Sequence, residues 1–320
     1  MRSNARSVVA TLLGAIVLGG TVGTGDVQGQ ADLRVEDHYA DNDGVRIHYV
    51  SAGPADAPLV VFIHGFPDFW YSWRHQMEAL QDRFHVVAMD QRGYNLSGQP
   101  EGVAAYAMPN LIGDVAAVIR ANGRQSATIV GHDWGGMVAW QFAFALPQMV
   151  DRLVILNLPH PNGMGRELAS NPEQRAGSGY AQKFIEGSPS DPDIFFGNPM
   201  TAQTLSGWVT DAAARPRYVE AFQRSSFEGM LNFYKANYPR LPPEGAAPPA
   251  AAAAPTLHMP VLQFHGLKDT ALNSDGLNNT WDWIDADYTL VTAPESGHFV
   301  QQDASELVSS TLRSWLLARQ

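Results

Sequence analysis

From Asp41 onward the chain alternates short β-branched runs with longer stretches of helical period, and this alternation constrains the fold more than any other feature. Parallel strands need long crossover connections, so the pattern predicts a mostly parallel sheet with helices on both faces. Val45–Val50 alternates as a half-buried strand, and Leu59–His64 (LVVFIH) reads as a fully buried one. Phe84–Asp90, Ala127–Gly131, Arg152–Asn157, Val261–His265 and Tyr288–Val291 continue the series. Leu111–Ala121, Gly136–Leu146 and Glu306–Ala318 read as helices. One interval breaks the rhythm. Between Leu158 and Met259, about a hundred residues carry aromatic, helix-like stretches and no buried strand, which predicts an inserted helical subdomain. It leaves through the Pro- and Ala-rich run Pro239–Pro260, which cannot hold a regular strand. The expected organisation is a leader over 1–31, a core over 32–157, the helical insertion with its exit over 158–259, and the rest of the core over 260–320.

Composition narrows the function. The 320 residues are 45% hydrophobic and 17% charged, which suits a globular protein and excludes disorder over most of the length. A net charge of -11 lacks the basic surface that nucleic-acid binding requires, so no nucleic-acid partner is expected. With 0 Cys, a disulfide framework, a thiolate nucleophile and a thiolate zinc site are all excluded. The 8 Trp and 10% aromatic content fit an apolar cavity lined by rings. Arg2 and Arg6 precede the apolar run Val8–Leu18 and a stretch of small residues, the pattern of a secretory leader cleaved after Gly29 or Ala31. That run falls short of the roughly 20 residues that span a bilayer, so a secreted or periplasmic protein without stable membrane association is expected.

Gly131-His132-Asp133-Trp134-Gly135-Gly136 follows a buried strand and opens a helix, the context of a nucleophile elbow. The tip residue is aspartate where esterases carry serine. A carboxylate there suits attack on a saturated carbon, forming an ester that water later opens. By itself Gly-x-Asp-x-Gly also describes an ordinary strand-to-helix turn with a surface aspartate at the helix start.

These motifs resemble those of the α/β-hydrolase superfamily, and within it the epoxide hydrolase and haloalkane dehalogenase branch, from Val35 to the C-terminus. The resemblance implies an α/β-hydrolase fold with an inserted helical cap, no cofactor and no metal, and Asp133 as nucleophile. His64-Gly65-Phe66-Pro67 matches the oxyanion-hole loop, which implies that the backbone N–H groups of Phe66 and Trp134 hold the ester oxyanion. Pro67 is expected in the cis form, and His64 in a structural hydrogen bond without proton transfer. His298, in Glu295-Ser296-Gly297-His298-Phe299, matches the general base, and Asp269, just after Val261–His265, matches its orienting acid. Asp275 stands close enough in sequence to be an outside candidate for that acid. In Asp90-Gln91-Arg92-Gly93-Tyr94-Asn95-Leu96-Ser97, Asn95 replaces the family glycine, and Ser97 is a weak candidate nucleophile without an elbow.

Two tyrosines decide the branch. Tyr180, in Ser178-Gly179-Tyr180, and Tyr234, in Asn232-Phe233-Tyr234, resemble the cap phenols that protonate an opening epoxide. The expected reaction is hydrolysis of a small apolar epoxide to a vicinal diol, with water as the second reactant. A haloalkane dehalogenase would use the same Asp133, His298 and Asp269, but that branch often carries a halide-binding Asn where this chain has Phe66. A non-catalytic ligand-binding protein on the same fold is the more remote reading. Oligomeric state is not legible in the sequence.

Overall fold

A computed structural model of the protein describes residues 33–241 and 254–320. The expected leader and the centre of the Pro/Ala-rich exit lie outside the described residues. Eight strands form one sheet: β1 (Glu36–Asn42), β2 (Val45–Ala52), β3 (Leu59–Ile63), β4 (His85–Met89), β5 (Ala127–His132), β6 (Val150–Leu156), β7 (Val261–Gly266) and β8 (Tyr288–Ala293). Their spatial order is β1-β2-β4-β3-β5-β6-β7-β8. The pairs β1–β2 and β2–β4 are antiparallel, and every pair from β4–β3 to β7–β8 is parallel. The α/β fold class expected from the alternation is the one observed.

The helices are α1 (Arg74–Leu80), α2 (Met108–Ala121), α3 (Trp134–Ala145), α4 (Pro161–Ser170), α5 (Pro172–Gly177), α6 (Gly179–Glu186), α7 (Ala202–Leu205), α8 (Arg215–Arg224), α9 (Phe227–Asn237), α10 (Val300–Asp303) and α11 (Ser305–Leu317). In α2, Leu111, Val115, Val118 and Ile119 recur at helical spacing and are buried, while Pro109 sits in the first turn, where its missing N–H costs nothing. Helices α2 and α3 join the core on one sheet face, and residues of α1 and α11 join the core on the other. Helices α4 to α9 all lie between β6 and β7.

Two expectations change. Val45–Val50 is not half-buried: β2 is buried throughout from Ile47, because it is hydrogen-bonded between β1 and β4 and covered on both faces. The chain also enters the sheet earlier than Asp41, through β1, whose Glu36-Asp37-His38 start is polar because it forms the sheet edge.

The order of strands places the site. From β3 the chain moves to β4 on one side and then returns to β5 on the other, so the direction of winding reverses between β3 and β5. Loops at such a switch point diverge and leave a crevice beyond the carboxyl ends of the strands. The loop after β3 carries Phe66, and the turn after β5 carries Asp133.

Candidate active site

Asp133 stands between β5 and α3 with φ 51° and ψ -120°, a conformation an L residue keeps only where its surroundings enforce it. The enforcement is close packing. A Cβ added to Gly131 would lie 2.3 Å from the Gly135 carbonyl oxygen, and one added to Gly135 would lie 2.1 Å from that of Ile63. Glycine at both positions lets the turn close against β3 and tips the carboxylate toward the crevice.

Each oxygen of that carboxylate has a partner. Oδ1 accepts the Phe66 N–H at 2.7 Å, and Oδ2 lies 3.5 Å from His298 Nε2. The Trp134 N–H opens α3 and so belongs to the first-turn amides that have no acceptor within the helix. The Phe66–Pro67 peptide bond is cis. His64 is buried, with Nδ1 donating to the Gly65 carbonyl at 2.8 Å and Nε2 accepting the Gln91 N–H at 3.0 Å.

His298 follows β8, and its Nδ1 donates to Asp269 Oδ2 at 2.8 Å. The loop after β7 holds Asp269 firmly: Oδ1 accepts the N–H groups of Ala271 and Leu272 at 2.9 and 3.0 Å, and Oδ2 also accepts the Asn157 amide at 2.8 Å. Burial alone would drive His298 toward its neutral form, but the charge of Asp269 and the hydrogen bond to Asp133 outweigh it and raise its pKa. Burial likewise pushes both carboxyls up, and the hydrogen bonds and charge of His298 outweigh it, so Asp133 and Asp269 are both held below the usual carboxylate range. All three shifts favour an imidazolium between two carboxylates.

Two residues of this array escaped the sequence reading. Asn157, at the end of β6 with φ 41°, joins Asp269 to the Gly297 carbonyl, at 2.8 and 3.2 Å. Its signal was positional, since it stands where the strand before the insertion ends. His132 donates from Nε2 to the His298 carbonyl at 2.8 Å, and burial together with the neighbouring His298 charge lowers its pKa to about 3. The outside candidates lie elsewhere. Asp275 is exposed, with its carboxylate 3.4 Å from the Asn171 amide, and does not contact His298. Ser97 is buried and donates to the Asp90 carbonyl at 2.6 Å, tying the Asp90 loop together, while Asn95 adopts φ 43°.

Tyr234 on α9 is fully enclosed, with the rings of Trp134, Phe184 and Phe66 edge-on at 5.0, 5.0 and 5.5 Å. The ring of Tyr180 on α6 lies 6.1 Å away. Burial, then the nearby Asp133 charge for Tyr180, and the other phenol and Asp133 for Tyr234, raise both pKa values well above that of free tyrosine. Both groups are thus held as O–H donors. Asp133, Tyr180 and Tyr234 together line two cavities. One, of about 360 Å³, is walled by aliphatic groups including Met137, Leu158, Met164 and Leu168. The other, of about 340 Å³, holds His298 and is walled by rings: Phe66, Phe195, Phe196, Trp208 and Phe299. Among the described residues no group of three or more His, Cys, Asp or Glu side chains is placed to hold a metal ion.

Residues 58–305 match the family described as alpha/beta hydrolase fold, which is the class that this sheet and elbow define. Epoxide hydrolase 1 of Caenorhabditis elegans is 33% identical over 283 residues, covering 85% of this chain and 68% of that protein. A solved structure described among novel epoxide hydrolases from metagenomes of hot environments is 34% identical, with a TM-score of 0.79 over 89% of this chain and 99% of the other. The Bacillus megaterium epoxide hydrolase solved with an inhibitor is 29% identical, with a TM-score of 0.78 over 87% and 99%. The chain belongs to the epoxide hydrolase family within that class.

Proposed function

We propose that the protein hydrolyses an epoxide with apolar substituents to a vicinal diol through an ester on Asp133. The observation that carries this reading is the placement of two buried phenols in the same two cavities as a carboxylate already hydrogen-bonded by Phe66 and facing His298. One Asp133 oxygen attacks an epoxide carbon and the ring C–O bond breaks. The departing alkoxide takes its proton from Tyr180 or Tyr234, which is needed because an alkoxide is a strongly basic leaving group.

Alkylation removes the charge of Asp133. His298 then keeps only Asp269 as a negative neighbour, so its proton is released more easily and, passed through solvent, restores the phenol. Neutral His298, oriented by Asp269, takes a proton from the water that attacks the Asp133 carbonyl carbon. The N–H groups of Phe66 and Trp134 face the oxyanion. As the ester collapses, His298 gives that proton to the leaving oxygen and the diol departs; the acid left on Asp133 then passes its own proton to His298, which restores both the carboxylate and the imidazolium. The helices α4 to α9 act as the cap over this site, and residues 1–31 act as a secretory leader.

A single turnover in heavy-oxygen water tests the ester. The label is expected in the Asp133 carboxylate and not in the first diol, and His298→Gln is expected to accumulate the alkyl-enzyme because the second step loses its base. Solvent oxygen in the first diol with an unlabelled Asp133 would mean direct attack by water. Faster turnover of haloalkanes than of epoxides would assign the protein to dehalogenation.

A further inference from the structure

Phe196 is the most exposed large apolar side chain among the described residues, 67% accessible, and its backbone lies at φ 49°. With Gly197 at φ 84° it forms the tip of a tight hairpin, closed by Phe195 N–H to the Asn198 carbonyl at 2.8 Å and Asn198 N–H to the Phe195 carbonyl at 3.0 Å. Such turns need positive φ at both central positions, which Asn and Gly supply readily and a bulky aromatic does not. The fold thus holds an aromatic ring where both solvation and backbone preference oppose it.

The ring has a definite place. It sits 5.6 Å from the ring of Tyr180 and 5.0 Å from that of Phe195. On its inner side it lines the aromatic cavity that contains Asp133 and His298. On its outer side, with Gly177 and Tyr180 again, it lines a separate cavity of about 270 Å³ bounded by Ala176, Lys183 and Ile194. Phe196, Tyr180 and Gly177 are the residues the two cavities share. Tyr180 is one of the two phenols and Gly177 has no side chain, so Phe196 is the part of this wall that substitution can remove while keeping both tyrosines.

We infer that Phe196 determines substrate size: it closes the aromatic arm of the site, so that an epoxide bearing one aryl ring fits and a longer biaryl group is refused. In the same cavity Trp208 and Phe299 stack at 3.6 Å with an interplanar angle of 4°, giving the arm a flat wall suited to an aryl substituent. Without the Phe196 ring the arm runs on into the outer cavity. This rests on the epoxide reading for the identity of the reacting group, but not for the shape of the arm.

The test compares the protein with Phe196→Ala and Phe196→Asn, using styrene oxide and its 4-phenyl homologue. The kcat/KM ratio of the larger to the smaller epoxide is expected to rise about tenfold or more in both variants. Affinities for the two corresponding diols, read from quenching of tryptophan fluorescence, should shift in the same ratio. Phe196→Asn keeps a residue that tolerates the turn, so it is expected to fold and to melt about 2 °C higher while changing selectivity. If the protein turns over neither epoxide yet the diol ratio shifts, the epoxide reading fails and the role of Phe196 stands. If epoxides are turned over and both ratios stay unchanged in the folded variants, the role of Phe196 is overturned.

Discussion

Asp68, one residue beyond the cis peptide bond, is fully buried, and burial pushes its carboxyl up to about 7 against the hydrogen bonds of Ser72, Phe69 and Tyr218. Between its ordinary pKa near 3.8 and that value the folded protein keeps a proton that the unfolded chain has lost, so stability falls as pH rises across that window. Asp68→Asn carries no charge at any pH and retains an oxygen for the Phe69 N–H. The variant is expected to gain on the order of 2 kcal/mol over the unsubstituted protein between pH 5 and pH 8, measured by urea unfolding at each pH. An equal difference at both pH values would show that Asp68 titrates normally. At this scale the sequence was legible where a residue type and a motif position coincide, as at Asp133 and His298. Asn157 and His132 stayed hidden because their roles lie in the amide and imidazole bonds they make across the fold to Asp269 and to the His298 carbonyl. Asp269 was legible from its place just after Val261–His265, and of the two loop carboxylates it is the one that faces the imidazole, which leaves the outside candidate Asp275 without that role.

Elements carry the two phenols proposed to protonate the opening ring. Helices α6 and α9 present Tyr180 and Tyr234 from different turns of the insertion, packed ring to ring. Tyr→Phe keeps the ring contacts and deletes one O–H, so each single variant is expected to fold normally and to alkylate Asp133 about ten- to a thousandfold more slowly. The double variant should nearly abolish the step. Stopped-flow tryptophan fluorescence on mixing with an epoxide measures it, with circular dichroism to check the fold, and an unchanged rate in the folded double variant would remove both phenols from the mechanism. Strands β3, β5 and β7 were readable as short, largely apolar runs because every one of their residues is buried. The edge strand β1 was not, because Glu36-Asp37-His38 has no apolar period to read. Strand β2 was misjudged because a mild alternation in Val45–Val50 carries no information about whether a second layer covers its outer face.

For the whole molecule, the formal charge of -11 and the absence of cysteine shaped the expected partners and compartment more than the fold did. If residues 1–31 direct export, the exported protein should begin near Gln30 or Asp32, and N-terminal sequencing of secreted or periplasmic material checks this. An intact Met1 or Arg2 start outside the cytoplasm would contradict it. Periodicity revealed which segments become strands but not their lateral order, because β-branched runs fix a strand's burial without naming its neighbours. Yet that order makes the reversal between β3 and β5 on which the site depends.

The hydrogen bond from His132 to the His298 carbonyl joins positions 166 residues apart, whereas Phe66 and Asp133 are 67 apart and Asp269 and His298 only 29. Closing the long loop is the entropically costliest of these steps and is rewarded only after β5, β6, β7 and β8 have assembled side by side. A chain emerging from synthesis therefore owns an elbow and an oxyanion loop long before it owns a base. On the proposed mechanism the group to be alkylated precedes the base in the order of synthesis, so the hydrolytic half of the chemistry is the last to be encoded.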